Sequence, residues 1–403
     1  MRALHVLKTS SGARWAALQV RELVRAGIDV HVALPSLEGR SMDLWIASGA
    51  QLHAVDLNLP VNRPWRIPRI LDAARELVER IRPDLIHSHF VATTLTLRAA
   101  LGRHHRTPRF FQVPGPLHLE HAPYRTGEIA SAGSSDHWIA SSCYTRDLYR
   151  EAGVPPERIS LSYYPLEETE GSQPVGLRER LGIPHNAFVV GNCNMFYRPK
   201  RYLGQFRGLK AHEDVIEALQ IALRTRADVY GVLIGGAWGS AAGYFEKLRR
   251  RAEKSGRIFL PGMLAPSAVR SAWREFDCAV HVPLSENCGG VVEPLAAGVP
   301  VVAGRVGGLP EVVIEGQTGL TVPVRQPRAL ADAILAVAAN STQPRAMARA
   351  GRRLVTEMFS ARRTGEEIRK IYEHVLGARP RPSEFDSVQF LLEGHATSTQ
   401  AGH

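Results

Sequence analysis

Short runs of apolar and β-branched residues alternate along this chain with segments in which apolar residues recur every three to four positions. This alternation is typical of βαβ units, whose strands pair in parallel sheets. In the first part of the chain it predicts strands at 3–8, 28–34, 51–55, 85–88, 109–113 and 137–140, with helices such as 13–26 and 68–82 between them. We therefore expect a doubly wound α/β domain there.

Residues 164–184 show neither the strand pattern nor the helix pattern described above. Pro165 and Pro174 flank a centre rich in Glu, Gly and Ser. Such a composition is typical of a linker. A second series then predicts strands at 188–193, 229–234, 258–260, 278–282 and 299–303, with helices at 213–225, 242–255, 266–275 and 328–339. The chain therefore contains a second predicted α/β domain.

These patterns predict an N-terminal domain at 1–165, a linker at 166–186 and a C-terminal domain at 187–357. Residues 377–403 are rich in Pro, Ser and Gly, and we expect them to form a disordered tail. Ligands of open parallel sheets bind at the carboxyl ends of the strands. We therefore expect a ligand cleft where the two sheets present these ends.

The composition agrees with an ordinary two-domain globular protein: 403 residues, of which 44% are hydrophobic and 22% charged. No apolar run approaches the ~20 residues of a membrane span, and the start MRALHVLKTSSG lacks the apolar core of a secretion signal. The four scattered cysteines form no metal or disulfide pattern; they are Cys143, Cys193, Cys278 and Cys288. These features predict a cytoplasmic protein with reduced thiols.

The net charge of +11 suits nucleic acid, an anionic membrane or a phosphorylated substrate, and charge alone does not choose among them. Basic clusters at 103–106, 247–254 and 345–353 are interpreted as solvated faces, with peripheral contact to an anionic membrane as the alternative. Nucleic acid is not an expected partner. The oligomeric state stays open.

One loop in the second domain, with the sequence SENCGGVVEP, leads from a predicted strand into a helix. Gly289 and Gly290 allow close backbone approach to a ligand, and the helix N-terminus that follows attracts phosphate. Pro294 is expected in the first turn of that helix, which places Glu293 near its start. Glu286 and Glu293, if ionised, would accept hydrogen bonds from ribose and sugar hydroxyls. The alternative is a structural Gly-rich turn with a capping glutamate.

With the blocks around it, this loop resembles the C-terminal signature of the retaining, glycogen-synthase-like glycosyltransferases of family 4. In that family two glutamates flank a Gly-containing loop, and a small-residue helix follows that ends in GxPVVA. The matching blocks here are GVPVVA at 298–303, GGLPEVV at 307–313, EGQTGL at 315–320, RPDLIHSH at 82–89 and WIASS at 138–142. The resemblance implies the GT-B fold, with two facing Rossmann-like α/β domains and a C-terminal helix, at about 358–376, that completes the first.

The resemblance also implies the donor contacts. In the SENCGGVVEP loop they are Glu286, Asn287, Gly289, Gly290, Val291 and Glu293. Six residues separate the two glutamates, where the family usually has seven, and Asn287 begins a departure from the usual aromatic-glycine pair. The phosphate-binding loop of the family is expanded here to 194–212. Lys210 takes the family lysine position, and Arg198 is the preferred arginine, with Arg207 as the alternative.

In the first domain, Gly12 lies in the loop after the first predicted strand, where the family has a Gly-rich loop. His118 matches a family histidine near the reacting sugar, with Glu120 and His121 as further candidates for the acceptor. His118, Glu286, Arg198 and Lys210 are thus the predicted catalytic residues. The predicted donor-binding residues are Gly12, Asn287, Gly289, Gly290, Val291, Glu293 and Arg207.

The predicted function is retaining transfer of a sugar from a UDP- or GDP-type donor to a small-molecule or cell-surface acceptor. No cofactor or metal is expected. The sequence has no DxD pair, which would hold a divalent metal, and no complete motif of zinc ligands. Two alternatives stay open: a GT-B nucleotide-sugar epimerase, and a non-enzymatic basic protein that binds membrane or nucleic acid. The sequence identifies neither the nucleotide, the sugar nor the acceptor.

Overall fold

The computed structural model describes residues 1–60, 63–167, 175–340 and 342–400, with side chains described as far as residue 393 except that of Leu203. The chain divides into two compact units. Unit 1 comprises Met1–Glu167 and Met358–Phe385, and unit 2 comprises Glu168–Glu357 and Asp386–His403. In the described part of the chain, no helix combines the length and apolarity that a membrane crossing needs.

Unit 1 is built on a sheet of seven parallel strands in the order β3-β2-β1-β4-β5-β6-β7. The strands are β1 Arg2–Val6, β2 Asp29–Leu34, β3 Gln51–Ala54, β4 Leu85–Ser88, β5 Arg109–Gln112, β6 Asp136–Ala140 and β7 Ile159–Leu161. The helices are α1 Arg14–Arg25, α2 Met42–Ala47, α3 Ile67–Ile81, α4 Val91–Leu101, α5 Ala122–Ala130 and α6 Cys143–Glu151. This is the predicted doubly wound architecture.

Unit 2 is built on six parallel strands in the order β10-β9-β8-β11-β12-β13. The strands are β8 Phe188–Cys193, β9 Val229–Ile234, β10 Ile258–Gly262, β11 Cys278–His281, β12 Val301–Gly304 and β13 Leu320–Val322. The helices of the remaining chain are α7 Leu177–Arg180, α8 His212–Thr225, α9 Ala242–Glu253, α10 Pro266–Ala272, α11 Gly289–Ala296, α12 Pro327–Ala339, α13 Thr342–Met358, α14 Ala361–Val375 and α15 Ser387–Gln400.

The chain returns to unit 1 at Met358, and α14 packs there on α1. Gly365 makes this packing close, because a Cβ at that position would lie 2.4 Å from the Cβ of Glu22. Tyr372 and Ile368 of α14 are buried in the same apolar core as Leu7 of the loop after β1. A C-terminal helix thus packs on the first Rossmann-like unit.

Two edge strands were missed from the sequence, β7 and β13, because three residues are too few to show a period-two pattern. The predicted disordered tail is wrong for 387–400, which form α15. Asp386 accepts hydrogen bonds from the backbone N–H groups of Val388 and Gln389, and Leu391 is buried, so a capped apolar turn outweighs the polar composition. Residues 401–403 lie outside the described residues.

The predicted linker at 166–186 is also shorter than expected. Residues 168–174 lie outside the described residues, whereas 175–186 include α7. The backbone N–H groups of Val175, Leu177 and Arg178 donate to the carboxylate of Glu275. This carboxylate satisfies the first turn of α7, so that part of the segment folds onto unit 2.

Candidate functional site

The site in unit 2 lies where two neighbouring strands end. Strands β8 and β11 pair in register and finish at Cys193 and His281. The loop after β8 leads to α8, and the loop after β11 leads to α11. Because the carboxyl ends of parallel strands share one edge of the sheet, these loops bring together Lys210 and Glu286 from distant parts of the sequence.

Glu286 is held by three donors. The ammonium group of Lys210 forms an ion pair with its Oε2, and the Nε2 of His281 lies 2.9 Å from the same oxygen. Its Oε1 accepts the backbone N–H of Asn287 at 3.0 Å. A carboxylate with three donors is fixed in orientation, and the predicted lysine and glutamate do meet.

The charge state of Glu286 follows from these contacts. Burial alone would raise the pKa of Glu286, but the charge of Lys210 and the hydrogen bond from His281 outweigh burial and hold this pKa well below its ordinary value. Glu286 is therefore an ionised, acceptor-only group at neutral pH. Such a group can accept hydrogen bonds from hydroxyl groups.

His281 is a site residue that the sequence reasoning missed. Its Nδ1 accepts from the Nδ2 of Asn194 at 3.1 Å, which leaves the proton on Nε2 to donate to Glu286. Burial lowers the pKa of His281, so the ring is neutral. The available signal was a histidine at the carboxyl end of a strand, five residues before a candidate glutamate, but a lone buried histidine is usually structural.

The helix that follows, α11, begins at Gly289, earlier than the predicted start near Glu293 and Pro294. Gly290 faces the ring of His281, because a Cβ there would lie 2.1 Å from the histidine Nε2, whereas Gly289 faces open space. Val291 is fully buried in the first turn. The glycines therefore have different roles: Gly290 admits the His281 ring, and Gly289 leaves the helix start accessible.

The predicted position of Pro294 in the first turn is wrong. Because α11 begins at Gly289, Pro294 lies inside the helix and Glu293 precedes it in the second turn. The Nε1 of Trp273 donates to the Oε2 of Glu293 at 3.2 Å. Glu293 thus has a tryptophan partner, and its predicted contact with the donor stays a prediction.

The block GGLPEVV supports Glu286 from the other side. Gly307 has φ +59°, and a Cβ there would lie 1.8 Å from the carbonyl oxygen of Glu286. The N–H of Gly308 points to the same oxygen at 3.4 Å. Only glycine permits both this backbone conformation and this approach.

The two predicted arginines lie elsewhere in the expanded loop. Arg198 and Arg207 line a surface depression of about 1080 Å³, and the described residues that line it do not include Lys210 or Glu286. Arg207 forms an ion pair with the buried Asp214. The structure thus pairs the predicted lysine with Glu286, and the role of the two arginines in binding the diphosphate stays a prediction.

The predicted residues of unit 1 lie in loops at the carboxyl ends of its strands. Gly12 precedes α1, and a Cβ there would meet only ordinary contact with Thr9, so the local packing does not require glycine. The Nε2 of His118 lies 3.2 Å from the hydroxyl of Tyr149, and burial lowers the pKa of His118 to about 4. His118 is therefore neutral. Its contact with a sugar stays a prediction.

Two family models match this chain. The model described as "Glycosyltransferase Family 4" matches residues 12–165, and the model described as "Glycosyl transferases group 1" matches residues 201–354. A D-inositol 3-phosphate glycosyltransferase of Xylanimonas cellulosilytica is 27% identical over 267 residues. That match covers 63% of this chain and 60% of the relative, so less than two thirds of the curated relative is spanned.

Solved structures share the fold at low sequence identity. HepE of Anabaena, crystallised with UDP and glucose, is 19% identical with a TM-score of 0.76, over 93% of this chain and 99% of that chain. A putative UDP-N-acetylglucosamine 2-epimerase of Listeria monocytogenes is 16% identical with a TM-score of 0.65, over 96% and 99% of the two chains. These likenesses show the GT-B fold. The fold alone does not separate transfer from epimerisation.

Proposed function

The chain belongs to the group 1 glycosyltransferases of family 4, and on this premise we propose that it transfers a sugar from a nucleoside-diphosphate sugar to an acceptor hydroxyl. One observation carries the proposal: Lys210, His281 and Glu286 meet at the carboxyl edge of the unit 2 sheet, beside the start of α11. A cation, an ionised carboxylate and a helix N-terminus in one place suit a diphosphate and a sugar.

Lys210 and Glu286 neutralise each other in the structure described here. A bound diphosphate offers Lys210 more negative charge than one carboxylate does. We infer that the lysine moves its hydrogen bonds to the diphosphate, while Glu286, still held by His281, accepts from sugar hydroxyls. The free helix start at Gly289 adds backbone N–H donors to the phosphate.

The transfer breaks the bond between the anomeric carbon and the diphosphate oxygen, whose electron pair stays on the diphosphate. Lys210 and the α11 start stabilise that charge as it develops. The acceptor oxygen forms the new bond to the anomeric carbon, and its proton passes to the departing diphosphate. This route retains the anomeric configuration and needs no separate protein base.

We propose a UDP-sugar donor and a small, anionic acceptor. The donor is supported by the solved HepE complexes, which contain UDP and UDP-glucose. The acceptor class is supported by the net charge of +11 and by the curated relatives, which are named for a phosphorylated inositol. GDP-sugars and neutral acceptors are the competing choices in the test below.

Peripheral contact with an anionic membrane is a further part of the proposal. Phe206 is 85% exposed and Tyr202 75% exposed at the depression that Arg198, Lys200 and Arg201 also line. Exposed aromatic rings among basic side chains suit the interface of an anionic bilayer. Co-sedimentation with phosphatidylserine vesicles tests this: binding should fall in Phe206→Ser and in high salt, and unchanged binding in both cases would refute the contact.

The activity test mixes the protein with UDP- or GDP-sugars and a panel of acceptors that includes inositol phosphates, and follows sugar products by NMR. The proposal expects a glycosylated acceptor, release of UDP, and loss of product in Glu286→Gln. Glu253→Gln, a change on the exposed face of α9, is the matched control. Conversion of the donor into a stereoisomer without acceptor would instead identify an epimerase.

A further inference from the structure

Three histidines meet in unit 1, outside the site described above. In the parallel pairing of β1 with β4, His5 lies opposite His87, so both side chains project from the same face of the sheet. His89 follows two residues after His87, and its ring centroid lies 4.2 Å from that of His87 and 5.2 Å from that of His5. All three are fully buried.

The ring nitrogens of this histidine cluster (His5, His87 and His89) are close enough to share one ion. One nitrogen from each ring can be chosen so that all three lie within 4.8 Å of one another. The Nδ1 of His5 and the Nε2 of His89 share a hydrogen bond of 3.0 Å, which a metal ion would replace. Zinc–nitrogen bonds of ~2.0–2.1 Å in tetrahedral geometry place ligand nitrogens ~3.3 Å apart. Because the rings of His87 and His89 are stacked at 19° to each other, zinc binding requires these rings to turn towards a common point.

Polar atoms at the cluster lack partners within the described part of the chain. The Nε2 of His87 and the Nδ1 of His89 are buried without a hydrogen bond. The side chain of Gln112 contacts His87 and donates through its Nε2 to the carbonyl oxygen of Ser162. Buried polar atoms without partners are costly, and several at one place indicate a missing ligand.

The hydroxyl of Tyr372, on α14, arranges two of the rings. It lies 2.5 Å from the Nδ1 of His87 and 3.2 Å from the Nε2 of His5. If it accepts N–H hydrogen bonds from both, the lone pairs of the opposite nitrogens, Nε2 of His87 and Nδ1 of His5, are left for a metal. Metal-bound histidines characteristically donate their other N–H to such a partner.

The protonation state also suits a metal. Burial lowers the pKa of His5 to about 3 and lowers the pKa of His87 and His89 well below the ordinary value. The rings are therefore neutral at pH 7, and the neutral imidazole is the form that binds a metal. Three imidazoles are a ligand set for zinc or a similar transition metal rather than for magnesium or calcium, which prefer oxygen.

We propose that His5, His87 and His89 form a binding site for a zinc ion, with Tyr372 orienting two of the three rings. The sequence alone did not predict this site, because the HSH block supplies only two histidines and the third lies on another strand. A zinc ion there would join β1 and β4 to the helix α14 that returns to unit 1. The proposed site is separate from the residues proposed to carry the sugar transfer.

The first measurement uses the untagged wild-type chain. The protein is stripped with a chelator, loaded with zinc chloride, dialysed and analysed for metal content, and its Tm is measured before and after loading. We expect about one zinc per chain and a higher Tm, because a metal that binds only the folded state stabilises it. Zinc content below about a tenth of an equivalent after dialysis, with no change in Tm, would overturn the proposal.

Variants then locate the ion. His89→Ala should abolish stoichiometric zinc binding, and Tyr372→Phe should weaken zinc affinity roughly 10–100-fold in competition with a chromogenic chelator. His53→Ala is the control, because His53 stacks on His31 in a similar pair without a third ring nearby among the described residues. If His89→Ala fails to fold, Tyr372→Phe decides. Full affinity in Tyr372→Phe, or loss in His53→Ala alone, contradicts the proposed site.

Discussion

Lys210 and Glu286 form an ion pair although 76 residues separate them in the sequence. Lys210→Met should remove the cation that binds the diphosphate and leave Glu286 without its main counter-charge. We expect kcat to fall by about 10²–10³, as when one preorganised donor is removed from a site of developing charge. Steady-state kinetics with the best donor and acceptor checks this.

Lys370→Met, on the exposed face of α14, is the matched control and should keep wild-type kinetics. Thermal unfolding of both variants separates a loss of catalysis from a loss of folding. A wild-type kcat in Lys210→Met would show that the ion pair takes no part in catalysis. The proposed function would then lose its main structural support.

The two glycines that begin α11 give a paired prediction. Gly290→Ala should lower Tm and donor affinity together, because the new methyl group would overlap the ring of His281, which holds Glu286. Gly289→Ala adds the same group where nothing lies within 4 Å, so its Tm should not fall. Differential scanning fluorimetry with and without UDP measures both effects. Equal Tm values for the two variants would contradict the described packing.

The strand pattern of the sequence predicted most of both sheets, because long apolar runs such as β8 and β9 carry an unambiguous signal. It could not predict β7 or β13, whose three residues are held by the strands beside them. Lys210 and Glu286 were each predicted from the family resemblance, but their pairing depends on β8 and β11 being neighbours in the sheet, which the sequence did not predict.

Other parts of the site depend on packing that no local pattern shows. The loop after β8 has neither helical nor strand periodicity, and its course depends on Phe196, which is buried between the rings of His212 and Phe245. His281 was missed because its importance lies in its contact with Glu286, which requires the fold to be known. The zinc-type cluster was missed for the same reason, since His5 joins it only through strand pairing.

His212 should make folding sensitive to acid. Burial lowers the pKa of His212 from the ordinary 6.5 to about 3, with the charge of Lys210 adding to the effect. Between these two pH values the unfolded chain binds a proton that the folded chain does not. The free energy of unfolding therefore falls as pH drops below about 6.5, and this loss continues towards about pH 3.

His212→Phe keeps an aromatic ring against Phe196 and removes the titration. The Tm of this variant should rise relative to that of the wild type as the pH is lowered from about 7 to about 5. His104→Phe, at an exposed position, controls for the added aromatic ring. A Tm difference between His212→Phe and the wild type that stays constant across this pH range would show that burial of His212 does not cause the acid sensitivity.

Arg98 holds a network of buried charges in unit 1, remote in sequence from the loops of the proposed site. Its guanidinium donates to Glu128 at 2.7 Å and to Asp136 at 3.0 Å, and all three side chains are buried. Arg98→Met leaves both carboxylates without this partner. Breaking a buried pair in this way costs about 3–5 kcal/mol, so the midpoint of urea unfolding of unit 1 should move to a clearly lower urea concentration.

Arg328→Met, the control, removes an exposed ion pair with Asp332 and should change this midpoint little, because water already screens that pair. Equal unfolding midpoints for the two variants would mean that the buried network contributes no more than a surface ion pair.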